Sequence, residues 1–308
     1  MELVSNRAVG HVSHNPEPHE HFAPTGVFVD LPGSGTCFYR QHLNPGKPTL
    51  LLLHGMVASS GLNWFRVFPA LTDHFNIVAP DLRGHGRSLR GKTRFTINRA
   101  VHDMAALLDQ LEVGPVIVVG YSMGGAVAQK LWRKYPEKVS GMILTNTAYK
   151  ARMARMEQRM ALPIFATFVG MGRMSELFNH LPRGLIKRFL PVLADQLHED
   201  ERRWALDELR RTSLRVILET AREMAFHDAS EWLHEIDVPT AVLVSTQDRI
   251  IDPEHQEEIA SIIKEAKLFH YEGGHAGCTD PAYGEKLALA CLNVANRLKK
   301  SRRIAHAV

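Results

Sequence analysis

Apolar residues along this chain follow two rhythms. Predominantly apolar stretches at 49–53, 76–80, 115–120, 139–146 and 240–246, with 267–271 as a further strand, predict a parallel sheet covered on both faces. Between them the spacing widens to that of a helix. Over 96–112, Ile97, Val101, Met104, Leu108 and Leu111 mark a single buried face. Helices are likewise predicted over 63–71, 124–135 and 281–299, and segments 27–31 and 35–41 read as a hairpin opening the sheet. Strands alternating with helices predict an α/β, doubly wound, mostly parallel sheet.

From Tyr149 to Asp237 the pattern changes to helices without strands. This predicts a helical cap over 149–237, inserted into a core made of 26–148 and 238–299. Residues 149–190 hold eight Lys or Arg and two acids, whereas His198 to Arg211 mixes both signs and reads as a solvated helix. Met153, Met156 and Met160 form one stripe on a helix and Arg152, Arg155 and Arg159 another. The methionines read either as packing against the core or as a flexible lining for acyl chains. Residues 1–25 are polar, with Pro16, Pro18 and Pro24, and predict a loose arm. Its His11, His14, His19 and His21 read as solvated rather than metal-binding. Residues 300–308 read as a solvated basic tail, with weak attraction to an anionic membrane surface as the alternative.

The chemistry concentrates in Gly120-Tyr121-Ser122-Met123-Gly124, directly after the run Val116–Val119 and before the helix from Ala126. A strand entering G-x-S-x-G and then a helix describes a nucleophile elbow, a turn sharp enough to need glycine and to expose the serine hydroxyl. That serine needs a histidine to take its proton and a carboxylate to fix the histidine's tautomer. Asp248, after the strand 240–246, and His275, after the strand 267–271, come in the chain order such elbows use. Ser122 is thus assigned as nucleophile, Asp248 as orienting acid and His275 as general base. His270 lies inside a strand and suits a sheet-face role, and Asp252 before Pro253 suits a helix cap. The loop after 49–53 supplies a backbone N–H from Met56 that would converge with that of Met123 on an oxyanion. Tyr121, Met156 and Met160 are the candidate substrate-pocket residues. His54, His85, Asp81 and Arg83 read as structural residues of their turns.

Pro80-Asp81-Leu82-Arg83-Gly84-His85-Gly86-Arg87-Ser88 follows the strand at 76–79. With the elbow, this D-x-R-G-x-G-x-S loop resembles the α/β-hydrolase fold family, over roughly 26–148 and 238–298. The Leu62-Asn63-Trp64-Phe65 stretch and the Ser-Met-Gly-Gly elbow look most like bacterial esterases, lipases and related lactonases. Some relatives carry the acid after the sixth strand, where this chain has Thr145-Asn146-Thr147, which supports Asp248. The resemblance implies a serine hydrolase with no metal or organic cofactor. The apolar helical cap favours a small-molecule or lipid-like carboxylic ester of medium or long acyl chain. Lactone hydrolysis, carbon–carbon cleavage of ring-fission products and cofactor-free perhydrolysis use the same triad. A ligand-binding receptor or scaffold is the alternative of another class.

Composition narrows this further. A chain of 308 residues accommodates one core and a cap, and 45% hydrophobic with 23% charged residues is ordinary for a globular protein. A net charge of +4 without a concentrated patch argues against nucleic acid as partner. Cys37, Cys278 and Cys291 lie too far apart for a metal motif and predict free thiols in a reducing compartment. Cys278, three residues after His275, reads as a packing residue bordering the site. No apolar run is long enough to span a membrane, and the N-terminus lacks the apolar core of a signal peptide, so cytoplasmic residence is expected. Nothing in the sequence sets the oligomeric state.

Overall fold

A computed structural model describes residues 23–88, 93–151 and 197–305. Its centre is an eight-stranded sheet: β1 (Gly26–Leu31), β2 (Gly35–His42), β3 (Thr49–Leu53), β4 (Asn76–Pro80), β5 (Val116–Tyr121), β6 (Val139–Thr145), β7 (Thr240–Ser245) and β8 (Lys267–Tyr271). The spatial order is β1-β2-β4-β3-β5-β6-β7-β8. The β1–β2 and β2–β4 pairs are antiparallel, and the rest are parallel. The predicted hairpin and strands are thus all present, with β8 an edge strand that is largely exposed rather than buried. No helix among the described residues is long and apolar enough to cross a membrane.

Alternation along the strands divides the core in two. Leu51, Leu53, Val116, Val118, Met142, Leu144, Val242 and Val244 face α3 (Ile97–Gln110), α4 (Met123–Lys134) and α7 (Pro253–Ile262). Leu50, Leu52, Ile117, Val119, Ile143 and Leu243 face α1 (Ser60–Trp64), α2 (Phe68–Leu71) and α8 (Pro281–Ala305). Each such side chain, fully buried, contributes roughly 1.5–3 kcal/mol. The helix expected over 63–71 is divided into α1 and α2. Pro69 lies in the first turn of α2, where its missing N–H costs nothing, whereas in one continuous helix it would clash with the preceding turn. The closing helix runs further than expected, to Ala305, through the first part of the expected basic tail.

Of the segment expected to form a cap, the residues described from Leu197 onward form α5 (Glu199–Arg210) and α6 (Leu214–Ala225). Its apolar face, with Leu197, Trp204, Ala205, Leu209 and Ile217, packs on Val57, Leu62 and Phe65 of the core. The solvated helix expected at 198–211 is corrected here: Glu201 and Glu208 on α5 are buried. Glu201 pairs with Arg66 at 2.7 Å. Glu208 pairs with Arg87 at 2.8 Å and accepts from the Ser59 hydroxyl. On α6, Glu219 accepts from the Phe95 N–H at 2.7 Å. The chain enters and leaves the cap through one narrow stem. The Ala151 N–H donates to the His227 carbonyl at 3.0 Å and the Ala229 N–H to the Tyr149 carbonyl at 2.8 Å, around an antiparallel Lys150–Asp228 bridge.

Candidate active site

The turn from β5 into α4 is forced by close approach. A Cβ on Gly120 would lie 2.6 Å from the Gly124 carbonyl oxygen, and one on Gly124 would lie 2.1 Å from the Leu53 carbonyl oxygen. Ser122 between them has φ 52° and ψ −117°. A side chain bears that conformation only when its surroundings impose it. Here the Ser122 N–H donates to the Thr145 carbonyl at 3.0 Å and the Thr147 hydroxyl donates to the Ser122 carbonyl at 2.7 Å.

Asp248 and His275 follow β7 and β8, so all three side chains meet beyond the carboxyl ends of parallel strands. His275 Nδ1 lies 2.8 Å from Asp248 Oδ2, and its Nε2 lies 3.1 Å from Ser122 Oγ. Because a carboxylate only accepts, Nδ1 carries the proton and Nε2 presents its lone pair to the serine hydroxyl. The Asp248 side chain is buried and that of His275 is partly open. Asp248 Oδ1 accepts the N–H groups of Ile250 and Ile251 at 2.8 and 2.9 Å. Its Oδ2 also accepts from Gln256 Nε2 at 3.0 Å and Asn146 Nδ2 at 3.3 Å. Burial pushes the Asp248 carboxyl up. The hydrogen bond and charge of His275, with the two backbone donors, outweigh this and hold it below the usual carboxylate range.

Met123 opens α4, a position whose N–H has no carbonyl to bond within its own helix. Met56 precedes Val57, which turns the chain at φ 73°. His54, completely buried, braces this loop. Its Nδ1 donates to the Gly55 carbonyl and its Nε2 accepts the Leu82 N–H, both at 2.8 Å. Burial lowers its pKa to about 4, so it stays neutral. Asp81 accepts from the Ser60 N–H and hydroxyl and from the Arg87 N–H, while Arg83 holds Asp103 through two bonds of 2.6 and 2.8 Å. The structural roles expected for these turn residues agree with those contacts.

Tyr121 is corrected from pocket residue to core residue. It shares the sheet face of Ile117 and Val119, packs edge-on against Trp64 and Tyr283, and donates its hydroxyl to the His275 carbonyl. Its ring also lies 5.8 Å from that of His275. Cys278 is buried in the same cluster, a packing residue as expected. Met156, Met160 and the histidines of the N-terminal arm lie outside the described residues. The sequence reading missed Asn146 and Gln256 on the acid. Gln256 gave no local signal, whereas Asn146, a residue tolerant of positive φ at a strand end, offered a faint one.

A half-buried serine on a strained turn, hydrogen-bonded in series to a histidine and a buried carboxylate, is a candidate active site on a doubly wound sheet. A profile of the alpha/beta hydrolase fold matches residues 48–280, and the chain belongs to that family. It is 28% identical over 264 residues to the proline iminopeptidase PfmaB of Pestalotiopsis fici, covering 80% of this chain and 92% of that protein. It is 40% identical over 119 residues to the lipase LipV of Mycobacterium tuberculosis, covering 38% of this chain and 44% of LipV. A thermophilic esterase from Thermogutta terrifontis superposes with a TM-score of 0.71 at 23% identity, covering 89% and 99% of the two chains. That last likeness shows the fold alone.

Proposed function

We propose that this hydrolase cleaves carboxylic esters through Ser122, His275 and Asp248. The series of hydrogen bonds from Ser122 Oγ through the His275 ring to Asp248 carries the reading. Ser122 Oγ attacks the ester carbonyl carbon as its proton passes to His275 Nε2. Asp248 stabilises the imidazolium without becoming protonated. The N–H groups of Met56 and Met123 receive the negative charge on the tetrahedral oxygen. The carbon–oxygen bond to the alcohol then breaks, and the alkoxide leaves with the proton from His275. Water, deprotonated by the same Nε2, attacks the acyl-enzyme carbonyl and releases the acid and Ser122.

An apolar acyl group is the preferred substrate part. The buried cluster of Val57, Leu62, Phe65, Trp204 and Ile217 adjoins Met56, so apolar packing continues from the oxyanion loop to α5 and α6. The name of LipV agrees with ester cleavage, while that of PfmaB makes an amide the comparison to run. Activity on p-nitrophenyl esters of graded chain length should exceed that on a lactone, a ring-fission dienone and a proline anilide. A fluorophosphonate should label the protein stoichiometrically. Ser122→Ala should abolish that labelling and lower turnover by on the order of 10³ or more. Persistent labelling in the variant would remove Ser122 from the mechanism.

A further inference from the structure

The end of β6 touches both ends of the hydrogen-bonded series. Thr145 and Thr147 hold the Ser122 backbone, one through its carbonyl and the other through its hydroxyl. Asn146 between them reaches the other way. Its Nδ2 donates to Ser245 Oγ at 2.8 Å and to Asp248 Oδ2 at 3.3 Å, and its Oδ1 accepts the Thr145 hydroxyl at 2.9 Å. Asn146 is completely buried and has φ 48°. Few side chains tolerate that conformation, and asparagine is one of them. The kink is what lets neighbouring residues address different partners: 145 and 147 the nucleophile, 146 the acid.

The amide acts on the oxygen that matters. Asp248 Oδ1 is held by two backbone N–H groups, whereas Oδ2 receives only side chains: His275, Gln256 and Asn146. A carboxylate carrying donors on both oxygens cannot swing about its last torsion without breaking several bonds at once. The ring of His275 is aimed by that oxygen, and the 3.1 Å approach of Nε2 to Ser122 follows from the aim. The neutral amide of Asn146 orients the carboxylate without cancelling its charge, which is what the imidazolium needs.

We propose that Asn146 is a positioning residue: its amide fixes Asp248 Oδ2 toward His275 and, through the shared tripeptide, sets the acid in register with the nucleophile. This rests on the serine-hydrolase reading above. The competing role is purely conformational, a residue chosen because it tolerates positive φ. Two substitutions separate the roles. Asn146→Gly suits the backbone and deletes the amide, and Asn146→Asp keeps the shape but replaces the donor by a second carboxyl.

On p-nitrophenyl butyrate, Asn146→Gly should lower kcat on the order of tenfold or more with KM little changed, as for loss of a hydrogen bond to a charged group. In Asn146→Asp the two carboxyls share a proton at low pH, and the second ionisation adds a negative charge beside the imidazolium. The acid limb of kcat/KM should then move to higher pH. Tyr121 meets His275 through its hydroxyl and ring, and Cys278 and Tyr283 are its buried neighbours. Burial raises all three, Cys278 to about 11, so they stay neutral across this range. Wild-type kcat in Asn146→Gly, or an unmoved pH profile in Asn146→Asp, overturns the proposal. If melting shows the glycine variant to be unstable, the pH profile of the aspartate variant decides. Fluorophosphonate labelling of the wild type and Ser122→Ala runs alongside. Equal labelling of both overturns the reading on which this rests, independently of Asn146.

Discussion

Two aspartates near the end of β7 separate orientation from capping. Asp248 meets His275, while Asp252 accepts the Glu254 N–H at 3.0 Å and caps α7. Asp248→Asn replaces an acceptor by a donor against Nδ1 and leaves the wrong tautomer facing Ser122. Turnover should fall on the order of 10⁴, as when the acid of such a triad is amidated. Asp252→Asn should leave activity near wild type, because asparagine also caps. Initial rates on one ester for both variants check this, and an inactive Asp252 variant would reverse the assignment. At this scale the meeting of Ser122, Asp248 and His275 was legible because each sits just past the end of a strand. Tyr121 was misread because its motif names a place in the elbow, whereas the pleat of β5 decides which way its ring points. Asn146 and Gln256 escaped because their partner lies far away along the chain or carries no pattern.

Cap helices and core loops meet through charge as well as apolar surface. The Glu208 side chain is 1% exposed and faces Arg87, whose own side chain is 14% exposed. Glu208→Ala removes a buried carboxylate that meets Arg87, Arg211 and the Ser59 hydroxyl, and loss of one partner from a buried pair costs about 3–5 kcal/mol. By contrast Glu199 and Arg203 pair along the exposed face of α5, at 79% and 65% exposure. Glu199→Ala should leave stability close to wild type, because water screens so exposed a pair. Urea melts of the two variants test the contrast, and equal midpoints would show that the cap–core pair adds nothing. Sequence pattern alone suggests that these glutamates are solvated, since mixed charge on a helix usually faces water. Their arginines come from residues 66 and 87, well outside the helix. The strands were legible for the opposite reason: burial on both faces writes itself into consecutive residues. Division of the 63–71 helix was legible too, had Pro69 been weighed against the spacing.

Across the whole molecule, buried histidines link stability to pH. Burial lowers His54 to about 4, His85 to about 3 and His227 to about 4. A histidine that titrates lower when folded takes up its proton more readily once unfolded. Its contribution is complete above the free value of about 6.5 and declines as pH falls toward 4. Asp248, depressed as well, adds its loss only below the carboxylate range. The melting temperature should therefore drop between about pH 7.5 and pH 5, well before carboxylates protonate. A Tm constant over that interval would contradict the burial of these rings. The stem at 149–151 and 227–229 has a different kind of consequence. Both ends of the insert leave through one pinned pair of backbone segments, and the entropy of closing a loop grows only with the logarithm of its length. Closure of the core is therefore nearly indifferent to the length of chain inserted there, though not to the contacts that α5 and α6 make with it. Chain can be lengthened or shortened between those two segments, while Ser122, His275 and Asp248 stay where the strand ends place them.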